Sequence, residues 1–418
     1  MHSKEIDKGL KNKLESRTRW LNKMNISKVH GLFFMAFVFS IPLSQSLSTK
    51  LLAFVFLFSL LVHSEGGFTR RLAQAWDIAL YLLVLTIGLL YSENVDDGLK
   101  EIETSLSFFV LPFVLAKIPN FDLQYLRKSF YVFTMGLLVA CLIYLGHASW
   151  LYLQGDDSRA FFSGHLTQVI ANSHPTYLAY YLIFAIGFGL SDMYYSASRV
   201  PPIVIILFVF FFFIILMLTA GQTAFISMLL IFSFFILKFL SEEDRKKIKI
   251  LTFSIVCCLL VGLFAANWAS GNKSLENSGS DAWERSVLWE SGIRATPDVI
   301  WGVGTGDYKQ VLNAYYRAHN LPEFAVSNYN SHNQFIQIFF SNGLIGFLSV
   351  FLLLARPLYL SVRNQNAFGI LTFFPFFIYG MTEVFLGRYQ GVVFFALLHQ
   401  TFVIYYHSRK PSFSLKDP

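Results

Sequence analysis

The chain has 418 residues, of which 55% are hydrophobic, 17% aromatic and only 14% charged, with 46 Phe, 20 Tyr and 7 Trp and a mean hydropathy of +0.51. Soluble domains carry about 25% charge and about 45–50% apolar residues, so a soluble globular enzyme, a nucleic-acid binder and a disordered chain are excluded. The net charge of +7, from 33 Lys and Arg against 26 Asp and Glu, is a matter of where the charges lie, because Lys and Arg set the orientation of membrane proteins.

Residues 1–30 are basic and amphipathic, with Leu10, Leu14, Trp20 and Leu21 among Lys and Arg, the pattern of a segment lying on a membrane surface. Twelve apolar stretches follow, near 31–45, 49–64, 75–91, 103–116, 128–153, 175–195, 200–219, 221–240, 249–269, 343–361, 367–385 and 390–407. A spanning helix needs about 20 mostly apolar residues. The first, second and fourth stretches are short, and the fourth, with Pro112 inside, fits a re-entrant segment. Residues 270–342 separate the ninth and tenth stretches and form one large polar loop, far longer than an ordinary connection. Residues 408–418 are a short tail.

With the N-terminus inside, every inside segment holds a Lys or Arg, and nine of the 33 basic residues remain outside, among them Arg159, Arg285, Arg294, Arg317 and Arg388. The expectation is an all-α integral membrane protein of about twelve transmembrane helices, both termini cytoplasmic and the large loop on the far side between helices 9 and 10. Five units follow: 1–30, 31–269, 270–342, 343–407 and 408–418. There is no internal repeat. Cys141, Cys257 and Cys258 lie in apolar runs with no zinc or disulfide spacing and read as packing residues.

The outside polarity gathers at a few places. In the loop, Ser280 or Asp281 can cap a helix over Ala282–Ala295, with Pro297 just beyond. Arg294 has an i,i+4 partner in Glu290, whereas Arg285, one turn from Trp289, has only Asp281 near the cap. Arg285 is therefore the stronger functional candidate. Gly302-Val-Gly304-Thr-Gly306-Asp307-Tyr308 lacks the βαβ context of a dinucleotide loop and reads as a turn with close backbone approach. Asn330-Ser331-His332-Asn333-Gln334 stands where the loop re-enters the membrane, followed by a short apolar helix (Phe335–Phe340) and Gly343-Leu-Ile-Gly346. His332 is a suitable general base near neutral pH. His174 opens the sixth span. Glu383 inside an apolar stretch is a site candidate by default, with Arg388 as its partner. Trp301, Tyr308, Tyr315, Tyr316 and Tyr329 fit either sugar stacking or ordinary loop packing.

Many spans, one large external loop between late spans, a Trp/Arg helix, a Gly-x-Gly-x-Gly-x-Tyr turn and His-Asn-x9-Gly-x-x-Gly leading into a span resemble the O-antigen ligase superfamily, over about residues 155–400. The resemblance implies a GT-C-type glycosyltransferase of the bacterial inner membrane. Its donor would be a glycan on undecaprenyl pyrophosphate at the periplasmic face, its acceptor a lipid A-core sugar, and its surroundings membrane lipids. Attack by the acceptor in one displacement would invert the anomeric carbon, and the lack of an Asp-x-Asp motif on the outside face gives the expectation of no metal and no cofactor. The family's histidine falls on His332 beside Asn333, and its loop arginine on Arg285. The family arginine between spans seven and eight falls on Gln222, so a phosphate-neutralising charge would come from Arg159 or Arg388. The position after the last Gly, commonly Thr, is Phe347. His174, Glu383 and Arg294 complete the candidate substrate-binding set. A Wzy-like polymerase using the same donor is the alternative within the family. A transporter or flippase is the alternative from another class, disfavoured by the lack of repeats and of midplane charges.

Overall fold

The computed structural model describes residues 26–63, 67–118, 122–156, 158–167, 169, 174–195, 200–219, 222–239, 256 and 280–408. The basic segment before Ile26, the 249–269 stretch apart from Val256, and the tail after Ser408 lie outside these residues. So do the side chains of Arg159 and Gln222. All regular structure among the described residues is helical.

In chain order the helices are α1 (Ile26–Ser40), α2 (Gln45–Leu61), α3 (Phe68–Ala73), α4 (Trp76–Leu90), α5 (Val95–Thr104), α6 (Ser107–Ala116), α7 (Leu123–Leu153), α8 (Ser163–Thr167) and α9 (Pro175–Tyr194). Then come α10 (Pro202–Leu218), α11 (Gln222–Phe239), α12 (Ser280–Arg294), α13 (Tyr308–Ala318), α14 (Pro322–Val326), α15 (Gln334–Arg363), α16 (Ala367–Thr382) and α17 (Tyr389–Ser408). Three of them, α7, α9 and α15, are long and apolar enough to cross a membrane. Helices α1, α2, α4, α10 and α16 and the Thr223–Phe234 part of α11 are apolar but shorter. Helix α6 has ten residues with Pro112 inside, in keeping with a segment too short to cross.

Local chemistry sets the helix starts. Asp122 caps α7 by accepting the Tyr125 N–H at 2.8 Å, and Asn366 caps α16 by accepting the Gly369 N–H at 3.1 Å. The centre of the bundle is α17, buried from Gln390 to Tyr406, flanked by the largely buried α9. A helix apolar on every face belongs inside. The abundant phenylalanine is used here. Phe133 and Phe184 lie 4.9 and 5.4 Å from Phe394, and Phe373 and Phe376 lie 5.1 and 4.6 Å from Phe402 and Phe395. Phe133 is stacked on Phe394 and the other three pairs are edge-on, and pairs of both kinds add about 0.5–1.5 kcal/mol each beyond area burial. Cys141 is buried and unbonded in this core.

At one end, the fully buried Asp77 pins three helices together. Arg356 Nη1 of α15 donates to it at 2.5 Å, and His399 Nε2 of α17 lies 2.8 Å from its other oxygen. At the opposite end, α12, α13 and α14 form a small second core around Leu288, Leu312, Tyr316 and Phe324, which also takes in Phe340 of α15.

The second core is spliced into α15 at a break. Asn342 and Gly343 leave helical geometry, Gly343 with φ 62° and ψ −158°. A break strands carbonyls before it and an N–H after it. The glycine-rich loop satisfies all three. Val303 N–H donates to Phe340 O at 3.0 Å and Gly304 N–H to Ser341 O at 2.8 Å, while Leu344 N–H donates to Val299 O at 2.8 Å. Gly302-Val-Gly304-Thr-Gly306 is thus a close-approach turn, as its sequence suggests. A Cβ on Gly343 would stand 2.1 Å from the Ile300 carbonyl oxygen, in a backbone region open only to glycine. Gly343→Ala is expected to cost about 2–4 kcal/mol of stability, read as a lowered Tm and yield in detergent. An unchanged Tm would refute this account of the splice.

Candidate functional site

His332 immediately precedes the cap of α15. Asn333 is that cap, and its Oδ1 accepts the N–H groups of Phe335 and Ile336 at 2.9 and 3.1 Å. Its Nδ2 donates to the Met381 carbonyl at 3.2 Å, tying the cap to the end of α16. His332 has φ 43°, a left-handed backbone that non-glycine residues seldom adopt. Its N–H donates to Asn330 Oδ1 at 2.9 Å.

Residues 381–383 are the hub of the site. Arg285 Nη1 reaches across from α12 and donates to the Thr382 carbonyl at 3.0 Å. Thr223 Oγ1, in the first turn of α11, shares a hydrogen bond of 2.9 Å with Thr382 Oγ1. Glu383 Oε2 stands 3.8 Å from His332 Nδ1, within ion-pair range but longer than a hydrogen bond. Four elements distant in sequence, α11, α12, the α15 cap and α16, therefore meet at one helix end. The backbone of Gln222, next to Thr223, is brought to the same end.

The partner of Glu383 differs from the sequence expectation. Arg388 is exposed, and His332 is the group that Glu383 faces. Arg388 acts instead through its charge on His174. His174 caps α9, its Nδ1 accepting the Thr176 N–H at 3.3 Å. Burial first, and then the charges of Arg388 and His332, hold this imidazole below its usual range against the opposing pull of Glu383. His174 is thus a neutral polar group at pH 7 rather than a counter-charge.

The other candidates sort by geometry. Arg294 makes the i,i+4 pair with Glu290 at 2.7 Å, with both side chains more than half exposed, and takes part in none of the hub's contacts. Arg159 falls in the 3-10 turn Ser158–Phe161. Among the aromatic residues, Tyr316 is fully buried in the second core and Tyr308 donates to Glu101 Oε1 at 2.7 Å, so both pack the loop. Tyr315 stacks on His319 with ring centroids 3.9 Å apart. Trp301 and Tyr329 remain exposed, and the Tyr329 ring lies 5.8 Å from that of His332.

Chemically, the hub presents one imidazole with a carboxylate behind its Nδ1, and a guanidinium anchored by one nitrogen with its remaining donors unused by this contact. Nδ1 facing Glu383 leaves Nε2 as the nitrogen for a substrate proton. The guanidinium fork suits phosphate oxygens. Among the described residues, no three His, Cys, Asp or Glu side chains are arranged to hold a metal ion. Sequence reasoning passed over Thr382, Thr223 and Met381, whose contributions are two hydroxyls and two main-chain carbonyls. Main-chain groups leave no residue-type signal.

A protein-family comparison matches residues 206–351 to a family described as O-antigen ligase. A curated protein of Haemophilus influenzae (strain ATCC 51907 / DSM 11121 / KW20 / Rd), described as an uncharacterized protein, is 20% identical over 139 residues, which cover 31% of this chain and 35% of that protein. The chain thus spans about a third of the length of the curated relative it matches. The resemblance to the O-antigen ligase superfamily is thereby shown over a stretch that holds Gln222, Arg285, Arg294, His332 and Asn333 and ends before Glu383 and Arg388.

Proposed function

We propose, with the O-antigen ligase match over residues 206–351 as the premise, that this chain is a membrane glycosyltransferase. It moves a glycan from undecaprenyl pyrophosphate to an acceptor sugar, the lipid A core in the ligase form of the reaction. The same reading gives it about twelve spans in the bacterial inner membrane, cytoplasmic termini and a periplasmic loop. The observation that carries the reading is the convergence of Arg285, His332 and Glu383 on one end of α16.

In the proposed mechanism Arg285 grips the pyrophosphate, with Arg159 or Arg388 supplying the charge that Gln222 lacks. Asn333 holds the cap that carries His332. Glu383 faces His332 Nδ1, so Nε2 takes the proton of the acceptor hydroxyl. The acceptor oxygen attacks the anomeric carbon as the bond to pyrophosphate breaks, inverting the configuration and releasing undecaprenyl pyrophosphate. General base catalysis contributes about 10²–10⁴-fold, and charge stabilisation at a water-poor site at least as much. The outer segments hold no Asp-x-Asp pair, so transfer is expected to persist within twofold in EDTA.

The test is glycan analysis of cells carrying a clean deletion, complemented with wild type or His332→Ala. Full-length glycan left on the polyprenyl carrier above a bare lipid A core identifies a ligase. Single repeat units on the carrier identify a polymerase, which the Phe347 departure favours as the second reading. Unchanged pools, with His332→Ala equal to wild type, would overturn the transferase reading and reopen that of a transporter.

A further inference from the structure

We propose that Gln337 and Ser331 form a latch that holds the His332 turn in its working conformation, which makes Gln337 a positioning residue of the transfer site. The proposal rests on the reading of His332 as the base. Gln337 stands on the leading segment of α15, where its N–H donates to the Asn333 carbonyl at 2.9 Å. Its side chain turns back past the cap. Gln337 Oε1 accepts both the Ser331 N–H at 3.3 Å and the Ser331 hydroxyl at 3.1 Å, and that hydroxyl is shared with the Asn333 carbonyl at 2.9 Å.

The main chain of the turn is thereby held at Ser331, His332 and Asn333, while the His332 ring takes part in none of these bonds. Asn330 Oδ1 holds the His332 N–H, Gln337 holds Ser331, and Asn333 is tied to α15 and to Met381. The His332 ring has Glu383 at 3.8 Å and the Tyr329 ring at 5.8 Å but no hydrogen bond, so its placement comes largely from its backbone, which is left-handed. A left-handed histidine persists only where its surroundings over-determine it.

The unusual feature is Gln337 Nε2, which is buried with no hydrogen-bond partner. Burying an unsatisfied amide donor destabilises a fold. An apolar residue of the same shape would remove that cost but strand the buried Ser331 N–H, so apolar packing does not account for glutamine here. The acceptor oxygen does, because it alone meets Ser331. Gln337 and Ser331 are 6% and 1% exposed, which shields both bonds from competing water. Gly292 of α12, where a Cβ would meet Ile336 at 2.8 Å and Ser331 at 3.8 Å, presses the Arg285 helix onto the same turn. A loosened latch therefore shifts His332 relative to Arg285.

The test uses the full chain reconstituted in proteoliposomes with a polyprenyl-pyrophosphate-linked glycan and its acceptor. Gln337→Met keeps the length and removes the acceptor oxygen. The expected result is a kcat lower by about 10–100-fold, the scale of misplacement by about 1 Å, with donor KM within about twofold and Tm close to wild type, since the relief of the orphaned Nε2 is offset by a Ser331 N–H left without its acceptor. Gln337→Glu keeps an acceptor oxygen and adds a carboxylate against Ser331, the residue before His332. Its kcat should recover to within about threefold of wild type, with the acid limb of the pH–rate profile moved to higher pH, because the charge favours imidazolium.

If Gln337→Met retains wild-type kcat while His332→Ala is inactive, the latch is wrong and the transferase reading stands. If His332→Ala is itself fully active, the reading beneath the latch has failed. Should Gln337→Met lower Tm, Gln337→Glu decides: a folded protein with kcat as low as the Met variant, or with an unmoved acid limb, overturns the proposal.

Discussion

His332→Ala is expected to lower transfer by about 10²–10⁴-fold, the contribution of one well-placed general base, with donor binding and Tm close to wild type. Three observations set that expectation. The His332 ring makes no hydrogen bond that ties elements together, so its loss leaves the cap, the hub and the splice intact. Its side chain is 31% exposed, which allows a substrate hydroxyl to reach it. Glu383, 15% exposed, lies 3.8 Å from Nδ1, and in the proposed mechanism it orients the ring and stabilises the imidazolium formed as the proton arrives. Glu383→Gln should therefore cost less, about tenfold, and act mainly on kcat. The measurement is single-turnover transfer in proteoliposomes at several pH values. A His332→Ala rate within threefold of wild type would remove the base from the mechanism, and a Glu383→Gln loss equal to that of His332→Ala would mean the carboxylate is itself the proton acceptor.

What the sequence made legible was local. The α12 helix could be placed from its polar start and Pro297, and the expected 282–295 range overlaps Ser280–Arg294, which takes the expected cap residues Ser280 and Asp281 into its first turn. The Arg294–Glu290 pair followed from i,i+4 spacing. His332-Asn333 could be set at a boundary because a short apolar run and then Gly343 and Gly346 follow it, whereas the capping role of Asn333 emerged only from the structure. Glycines also mark close approach, so the Gly302–Gly306 turn was identifiable. Its partner, the broken helix at Asn342, was not, because hydrogen bonds between backbones carry no residue signature.

Contacts between distant segments were misjudged where a nearer residue offered an easier explanation. Arg388 is five positions from Glu383 and of opposite charge, yet the carboxylate faces His332, which another helix delivers. Arg356 shows the same limit. It counts as an inside charge in the topology argument, but its guanidinium is a buried partner of Asp77, so part of the basic asymmetry reflects internal pairing. Gln337 gave a faint signal that could have been used: an amide within the apolar Phe335–Phe340 run needs a buried reason to be there.

Arg285→Ala is expected to reduce kcat/KM for the lipid-linked donor by about 10²–10³-fold, on the scale of losing one preorganised charge donor. Arg285→Lys should recover little of it. The guanidinium spends Nη1 on the Thr382 carbonyl and keeps its other donors for phosphate oxygens, while an ammonium has one compact charge that cannot do both. Stability should change by about 1 kcal/mol or less, since the lost contact is one part-buried hydrogen bond. Arg294→Ala supplies the control on the same helix. Its exposed pair with Glu290 contributes about 0.3–0.5 kcal/mol, and its removal should leave transfer within twofold. Donor titration of all three variants separates the cases. Equal losses from Arg285→Ala and Arg294→Ala would point to a general electrostatic field over the loop. A loss confined to Arg285, larger at low donor concentration than at saturation, would place this guanidinium on the donor, and a saturable recovery by added guanidinium ion would locate its charge at the transferring bond.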